Sequence, residues 1–505
     1  MLRLQPQLAT VLLLLWGSVG NLPPATAQGY RLGGVEAPQL KGNPLSRDLQ
    51  RQLDQLRKQL QQRSLKATLQ EAVEQSLLQN PGLAASYTQI QQSQWTLIAV
   101  RRTWYPQLTA GSAGSNLYGY DVVTANRVNS NASGFQPNTS FENVSQTGPS
   151  LRLNWTFFDP SRGASINSAS RSLDAQKLLF DVAARNLVLE TQLTYFNLQE
   201  QQQLIEAYEK ILDATNSEVV RAEALFNAGR AAISDVEQIR TQQLQNLTTL
   251  ISTYQQAVVN SAALAQSMAL PVGTLVLPKD QLALLGDWSL NQQATLKQAE
   301  ALREEIKASL AQASSASWSS TALFNRYWPQ FSVGAAGSYL ATTQAAGTPG
   351  SEVSLNTQDT RWGNAVGVGF SWMMFDGGIK AAEAENLAYR SKQFTDNAAL
   401  VRLQVAREVE QAYVTYQASQ LALKSTRQQV DSATKAAVAI RERFAIGFAD
   451  MTSVVQTLNQ SILAANAYAS SIRSYNAAVA SLYRYSASWP SGALPLLQKR
   501  VARLK

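Results

Sequence analysis

The stretch Leu151-Arg152-Leu153-Asn154-Trp155-Thr156-Phe157-Phe158-Asp159 decides the fold. In an extended chain Leu151, Leu153, Trp155 and Phe157 point to one side, while Arg152, Asn154 and Thr156 point to the other. The pattern returns downstream, where Val366, Val368, Phe370, Trp372 and Met374 alternate with Gly367, Gly369 and Ser371. An apolar face opposed to a polar or small one is the signature of a membrane barrel strand. Aromatic residues near the strand ends suit a membrane interface.

Each strand has a fainter partner before it. Phe331, Val333, Ala335 and Tyr339 alternate with Ser332, Gly334 and Ser338, and Leu108, Ala110, Tyr118 and Tyr120 give a weaker version. Strands are therefore expected at about 105–120, 148–158, 328–340 and 362–375. Between paired strands, Asp121–Thr147 and Ala341–Arg361 are rich in Asn, Ser, Thr and Gly and read as exposed loops. Four strands cannot close a barrel, because single-chain barrels need at least eight. Either they form a soluble sandwich or several chains share one barrel.

Further motifs repeat in the same order. Tyr105-Pro106-Gln107-Leu108 returns as Trp328-Pro329-Gln330-Phe331, Trp155–Asp159 as Trp372–Asp376, and Phe226-Asn227-Ala228-Gly229 as Phe444-Ala445-Ile446-Gly447. The chain reads as a duplication over residues 65–270 and 290–486, joined by a linker at 271–289 and followed by a tail at 487–505. Each copy opens with a helix, Leu65 to Trp104 and Leu290 to Phe324. After the strands, no glycine or proline interrupts Gly163 to Gly229 or Gly378 to Gly447. Each stretch can form a helix of about 100 Å. A second breaker-free stretch then returns to Pro271 or Pro490. Hairpin tips are expected near 227–234 and 445–452. Leu178, Val182, Leu189, Leu193, Phe196, Leu204, Tyr208, Ile211, Val219, Ala222 and Phe226 keep helical spacing, as a packed coiled-coil seam would.

Composition narrows the function. The 505 residues include no cysteine and no histidine, which removes disulfides, thiolate nucleophiles, imidazole bases and most zinc sites. No catalytic constellation and no cofactor or metal motif is found, so the expectation is a protein that is not an enzyme. The net charge of +8 is spread among acidic residues, which argues against nucleic acid as a partner. Met1-Leu2-Arg3, the apolar run Leu8 to Val19 and Ala25-Thr26-Ala27 read as a signal peptide cleaved before Gln28. Residues 28–64 form a leader in which Leu45, Leu49, Leu53, Leu56 and Leu60 suggest a short amphipathic helix. No later run is long and apolar enough for a spanning helix, so entry into a membrane requires β-strands.

The chain resembles the TolC family of outer-membrane efflux proteins. The resemblance runs over about Leu65 to Ser486. It rests on Leu65–Val73 with Asn80-Pro81-Gly82-Leu83, on Tyr105-Pro106, and on the two hairpin tips, Phe226–Val236 and Arg443–Val455. It implies a mainly α fold with a membrane β part: long antiparallel helical hairpins, and four strands per chain contributing to a twelve-stranded barrel shared by a homotrimer. It implies an outer-membrane location and a passive exit duct for an efflux or type I secretion system. The implied partners are outer-membrane lipid, a periplasmic adaptor and an inner-membrane transporter of the ABC or RND type. Phe226, Gly229, Asp235, Val236, Phe444, Gly447 and Val454 are then expected at the docking tips, with Arg230, Arg441 and Arg443 as either adaptor contacts or solvated charge. Asp450, Ser453 and Gln456 fall at the periplasmic constriction, where better-known members carry aspartates at the positions of Ser453 and Gln456. A mouth less attractive to cations follows, with Asp450 read first as a helix cap. Leu151, Leu153, Trp155, Phe157, Val366, Val368, Phe370 and Trp372 would face lipid.

The alternative, an exported structural or adhesive coiled-coil surface protein, accounts for the long helices but not for strands with one aromatic face.

Overall fold

The computed structural model describes residues 49, 51–52, 54–55, 57–58, 61–112, 121–127, 138–347 and 355–504. The chain divides into two units, Met1–Gln50 and Arg51–Lys505, and the sheet and long helices belong to the second. The expected signal peptide, most of the leader leucines, Tyr118 and Tyr120 lie outside the described residues.

Short elements open each half. Strand β1 (Ser64–Ala67) pairs in parallel with β6 (Leu275–Pro278), so the start of the first half is tied to its end. Helix α1 (Leu69–Gln79) starts on a capping box: Glu71 N–H donates to Thr68 Oγ1 at 3.2 Å, and Thr68 N–H donates to Glu71 Oε2 at 2.8 Å. Helix α2 (Pro81–Arg102) follows at once, with Asn80 Oδ1 accepting from the N–H groups of Gly82 and Leu83. The single helix expected over Leu65 to Trp104 is thus a strand and two helices. Proline lacks the N–H and disfavours helical geometry in the residue before it, so the chain breaks at Asn80. The second half breaks at the same distance ahead of its strands, at Arg303, between α5 (Gln292–Leu302) and α6 (Glu304–Phe324). Asn80 has φ −57° and ψ 124°, and Arg303 has φ −55° and ψ 120°. No proline announces this second break.

Two very long helices carry the fold, α3 (Pro160–Asn227) with 68 residues and α7 (Ile379–Ala445) with 67. Each is about 100 Å long. Their returning partners, α4 (Ile233–Ser267) and α8 (Met451–Tyr485), have 35 residues each and cover only the distal half. The proximal half of α3 packs on α2 and α6, and α6 also packs on α7. Tyr87 of α2 meets Phe180 of α3 edge-on at 5.8 Å within a core that includes Leu77, Leu83, Leu97, Leu173 and Leu187. A last helix, α9 (Ala493–Leu504), covers that core with Ala493 and Leu497. Both returning helices end on an alanine with positive φ, Ala269 (55°) and Ala487 (57°).

The buried seam of α3 differs from the expected apolar stripe. Phe196, Tyr208, Val219 and Ala222 are buried, whereas Leu178, Val182, Leu189, Leu193, Leu204 and Ile211 are only half-buried. Thr191, Tyr195, Gln199, Leu212, Thr215 and Glu218 take the inner positions instead. Close-packed helices accept polar side chains in a seam when each finds a hydrogen bond, and a search for apolar residues passes over them.

The sheet contains β2 (Gln107–Ser112), β3 (Asp121–Arg127), β4 (Asn138–Thr147), β5 (Pro149–Phe158), β7 (Gln330–Gly347) and β8 (Leu355–Ser371). All pairings in it are antiparallel. β4 and β5 lie end to end along β7 in one unbroken register, from Phe141↔Gly347 to Thr156↔Ser332. They act as a single strand, and β2 and β3 lie alongside it. The segments expected as loops, Asp121–Thr147 and Ala341–Arg361, are thus largely strand. The polar residues that suggested loops pair their backbones as well as apolar ones do, because ladder bonds do not depend on the side chain. At the junction, a Cβ on Gly148 would lie 1.7 Å from the Tyr339 carbonyl oxygen, so only glycine fits.

Candidate functional site: sheet and hairpin ends

Register turns the alternation of single strands into two continuous faces. One row runs Leu108↔Leu153↔Ala335↔Val366, and the next runs Trp155↔Val333↔Val368. The opposite face carries Gln107↔Asn154↔Gly334↔Gly367 and Thr109↔Arg152↔Ala336↔Ala365. Every strand in these rows contributes its apolar side to the same face. Leu151, Trp155, Phe157, Val366, Val368, Phe370 and Trp372 are exposed in the single chain, and Leu153 is half-exposed.

Aromatic residues border this face at both ends. At the helical end a bulge sets Phe157 and Phe158 against Phe331, with ring centroids 6.3 and 5.8 Å away, and Phe370 follows at 6.4 Å. The bulge places two consecutive residues opposite one, so Phe158 joins a face that strict alternation denies it. At the other end Tyr339 and Trp362 pack with ring centroids 4.9 Å apart and planes tilted by 57°. Phe331 to Tyr339 is eight residues, or about 25 Å of strand, the height of an apolar membrane band. Trp155 Nε1 donates to the Trp104 carbonyl at 2.9 Å, and Trp372 Nε1 donates to the Tyr327 carbonyl at 2.8 Å. Each tryptophan thereby ties its strand to the end of the helix below. β8 ends at Ser371, so Trp372 to Phe375 lie just past the strand rather than in it. Asp159 caps α3 through the Ser161 N–H, and Asp376 accepts from the N–H groups of Gly378 and Lys380.

The two hairpin tips share one turn. Gly229 (φ 67°) and Gly447 (φ 82°) follow α3 and α7 in the left-handed region. Arg230 N–H donates back to the Leu225 carbonyl and Phe448 N–H to the Arg443 carbonyl, both at 2.8 Å, closing the helix ends. Phe226 and Phe444 are half-buried. Asp235 accepts from the Ala232 N–H at 3.0 Å and Asp450 from the Ser453 N–H at 2.7 Å. Hydrogen bonding from the Ser453 hydroxyl, and then from its N–H, holds the Asp450 carboxyl below its ordinary range. Val236 and Val454 are buried in the seam of each hairpin. The most exposed large apolar residues of the tips are Ile446 and Phe448, at 70% and 73%. Neither stands out in the sequence, because one apolar residue on either side of a glycine carries no periodicity. Ser453 is half-buried and Gln456 exposed.

The profile of the outer membrane efflux protein family matches residues 72–270 and 293–488. The chain belongs to that family. It is an outer-membrane channel, the exit duct that reaches from the outer membrane across the periplasm. Among curated relatives, the outer membrane protein TolC of Escherichia coli is 22% identical over 398 residues, 77% of this chain and 75% of that protein. Among solved structures, the CmeC channel of Campylobacter jejuni superposes with a TM-score of 0.68 at 14% identity, over 86% of this chain and 90% of that one. VceC of Vibrio cholerae gives 0.64 at 15%, over 83% and 96%. These likenesses carry the fold. Nothing in them favours a coiled-coil surface protein.

In this efflux protein the two hairpins touch through polar groups. Thr452, Asn459, Asn466 and Arg473, spaced by seven on α8, reach Gln238 (3.4 Å), Gln242 (3.1 Å), Tyr208 (2.7 Å) and Glu200 (2.9 Å) on the first hairpin. Near the tips Arg441 Nε meets the buried Glu218 at 3.2 Å, an ion pair between the two hairpins.

A buried ionic cluster surrounds the break at Arg303. Its guanidinium meets Glu305 at 3.0 Å and Glu408 at 2.9 Å, and Glu305 also binds Arg484. Alongside, Arg185 binds Glu304 at 3.0 Å and lies over the Trp489 ring. Burial, aided by the negative charge of Glu304 and opposed by Arg185, pushes the Asp181 carboxyl up to about 6. The folded protein therefore holds this proton more tightly than the unfolded chain, and the stability it contributes is lost as pH rises through about 6. Asp181→Asn is expected to raise the unfolding midpoint at about pH 7.5, with the gain shrinking as pH falls below about 6. Thermal unfolding followed across that range checks it.

Proposed function

We propose that three copies close head to tail into one barrel of twelve strands, whose hairpins together form the periplasmic tunnel. The open sheet edges carry this reading. Among the described residues β8 pairs only with β7, over 17 positions, and β2 only with β5. Unpaired backbone is not tolerated in lipid. Strand direction alternates across the sheet, so β8 of one copy meets β2 of the next antiparallel, which is a ring-forming contact. The apolar face turns to lipid and the polar and glycine face to the lumen. Leu400, Leu403, Val414 and Leu421 are exposed along α7, and this supports helix contacts between copies.

The duct does no chemistry itself. A periplasmic adaptor and an inner-membrane transporter of the ABC or RND type load it, and the tips dock through the glycine turns with Arg230, Ile446 and Phe448. Planar-bilayer conductance of the purified protein, with its mass in detergent, tests the reading. Discrete channels from a three-chain particle support it, and a water-soluble single chain without channels overturns it.

The mouth carries Asp450, Ser453 and Gln456. Ser453→Asp with Gln456→Asp is expected to lower the concentration of a trivalent cation that blocks conductance roughly tenfold, through added acidic rings. Both sites lie in the first two turns of α8, and the mass in detergent is measured beside conductance to keep loss of assembly apart from the change in charge. Unchanged block would place these side chains away from the constriction.

A further inference from the structure

A cavity of about 220 Å³ lies outside all the machinery above, between α3, α4, β6 and the leader segment. Ile205, Ala257, Val258, Leu275 and Leu277 make its apolar walls. Its polar groups are mostly occupied. Tyr254 Oη donates to Glu209 Oε1 at 2.7 Å, Arg57 binds the same carboxylate at 3.0 Å, and Ser261 Oγ bonds the Val276 backbone at 2.7 Å. Gln202 Oε1 is shut off from solvent with no hydrogen-bond partner, and Glu206 stands exposed at the rim with no ion pair among the described residues.

Gln202 and Glu206 are one turn apart on α3 and so share a face. Position 420 is the counterpart of 202 in the second half, and there Gln420 donates to Tyr416 Oη at 2.9 Å. The counterpart of Tyr416 is Leu198, which offers no hydroxyl, so the Gln202 amide lacks that internal partner.

We propose that this cavity is a binding site for small amphipathic amines, an apolar ring or chain carrying a protonated nitrogen. The walls take the apolar body, and the ammonium donates to the Glu206 carboxylate at the rim. The volume sets the size. Cavities of about 150 Å³ hold benzene, so this one holds a ring with a short amine tail. Glu206 and Glu209 against Arg57 leave the lining with an excess of negative charge, which selects a cation over a neutral or anionic isostere. An occupant would bridge the leader segment and the first hairpin.

The test uses the full chain in detergent, titrated with 2-phenylethylamine and with its neutral isostere 2-phenylethanol by ligand-observed NMR. The amine is expected to bind with a dissociation constant of about 1 mM, at least about tenfold tighter than the alcohol. Glu206→Gln is expected to remove that preference while alcohol binding stays, and Val258→Phe to remove binding of both by filling the cavity. Oligomer mass is measured for each variant, which keeps loss of fold apart from loss of the site. Equal affinity for amine and alcohol, an unaffected Glu206→Gln variant, or no binding at all overturns the proposal.

Discussion

Arginine placed at Leu153 and Val366 together is expected to keep the protein out of the membrane. The two residues flank Ala335 in one row of the sheet, and Ala335 lies midway between Phe331 and Tyr339, the aromatic ends of the apolar face. An arginine on the lipid face costs about 2–4 kcal/mol at mid-depth and little near an interface. Each copy would carry two at mid-depth, so the penalty multiplies around the ring. Asn154→Arg is the control, one residue away on the opposite face, and is expected to assemble normally because a lumen accepts charge. The amount of protein recovered in isolated outer membranes, with its mass in detergent, reads both outcomes. Normal assembly of Leu153→Arg/Val366→Arg would invert the faces, and failure of Asn154→Arg would mean that the sheet has no wet side.

The second large effect is expected at Arg303→Met. This guanidinium is 4% exposed and sits between Glu305 and Glu408. Methionine keeps most of the volume but leaves Glu408 with only Gln404 beside it. Glu408 is half-buried, so stranding its charge costs less than the roughly 3–5 kcal/mol of a fully buried pair. The double variant Arg303→Met/Glu408→Gln removes the stranded charge and is expected to recover most of the loss. Denaturant midpoints of the two proteins in detergent decide it. If the double variant is no more stable than the single one, the cost lies in the helix break itself rather than in the charges.

Much of this protein is legible without its structure. Trp155 and Trp372 announce two equivalent strands, because alternation is local and needs no partner to be seen. Gly229 and Gly447 mark the tips, because a left-handed turn after a long helix has few other solutions. Asn80-Pro81 carries an equally local signal for a helix break, although the expected helix ran through it. Other features carry no local signal. Phe158 reaches the apolar face only through a bulge, and a bulge is a property of the strand pair. The strands within Asp121–Thr147 depend on β7, which lies far along the chain in the second half.

What the sequence determined alone was the kind of protein: two copies of a unit with two-faced strands and breaker-free helices of about 100 Å, set by period and by the absence of glycine and proline. The tertiary structure decided which side chains those helices bury. Thr215 and Glu218 lie inside where Leu193 and Ile211 do not, because seam positions are allotted by the neighbouring helix and polar groups qualify once they are hydrogen-bonded. It also decided that Arg303 breaks a helix without proline. The guanidinium there lies buried between carboxylates of α6 and α7, and no single stretch of sequence holds that arrangement.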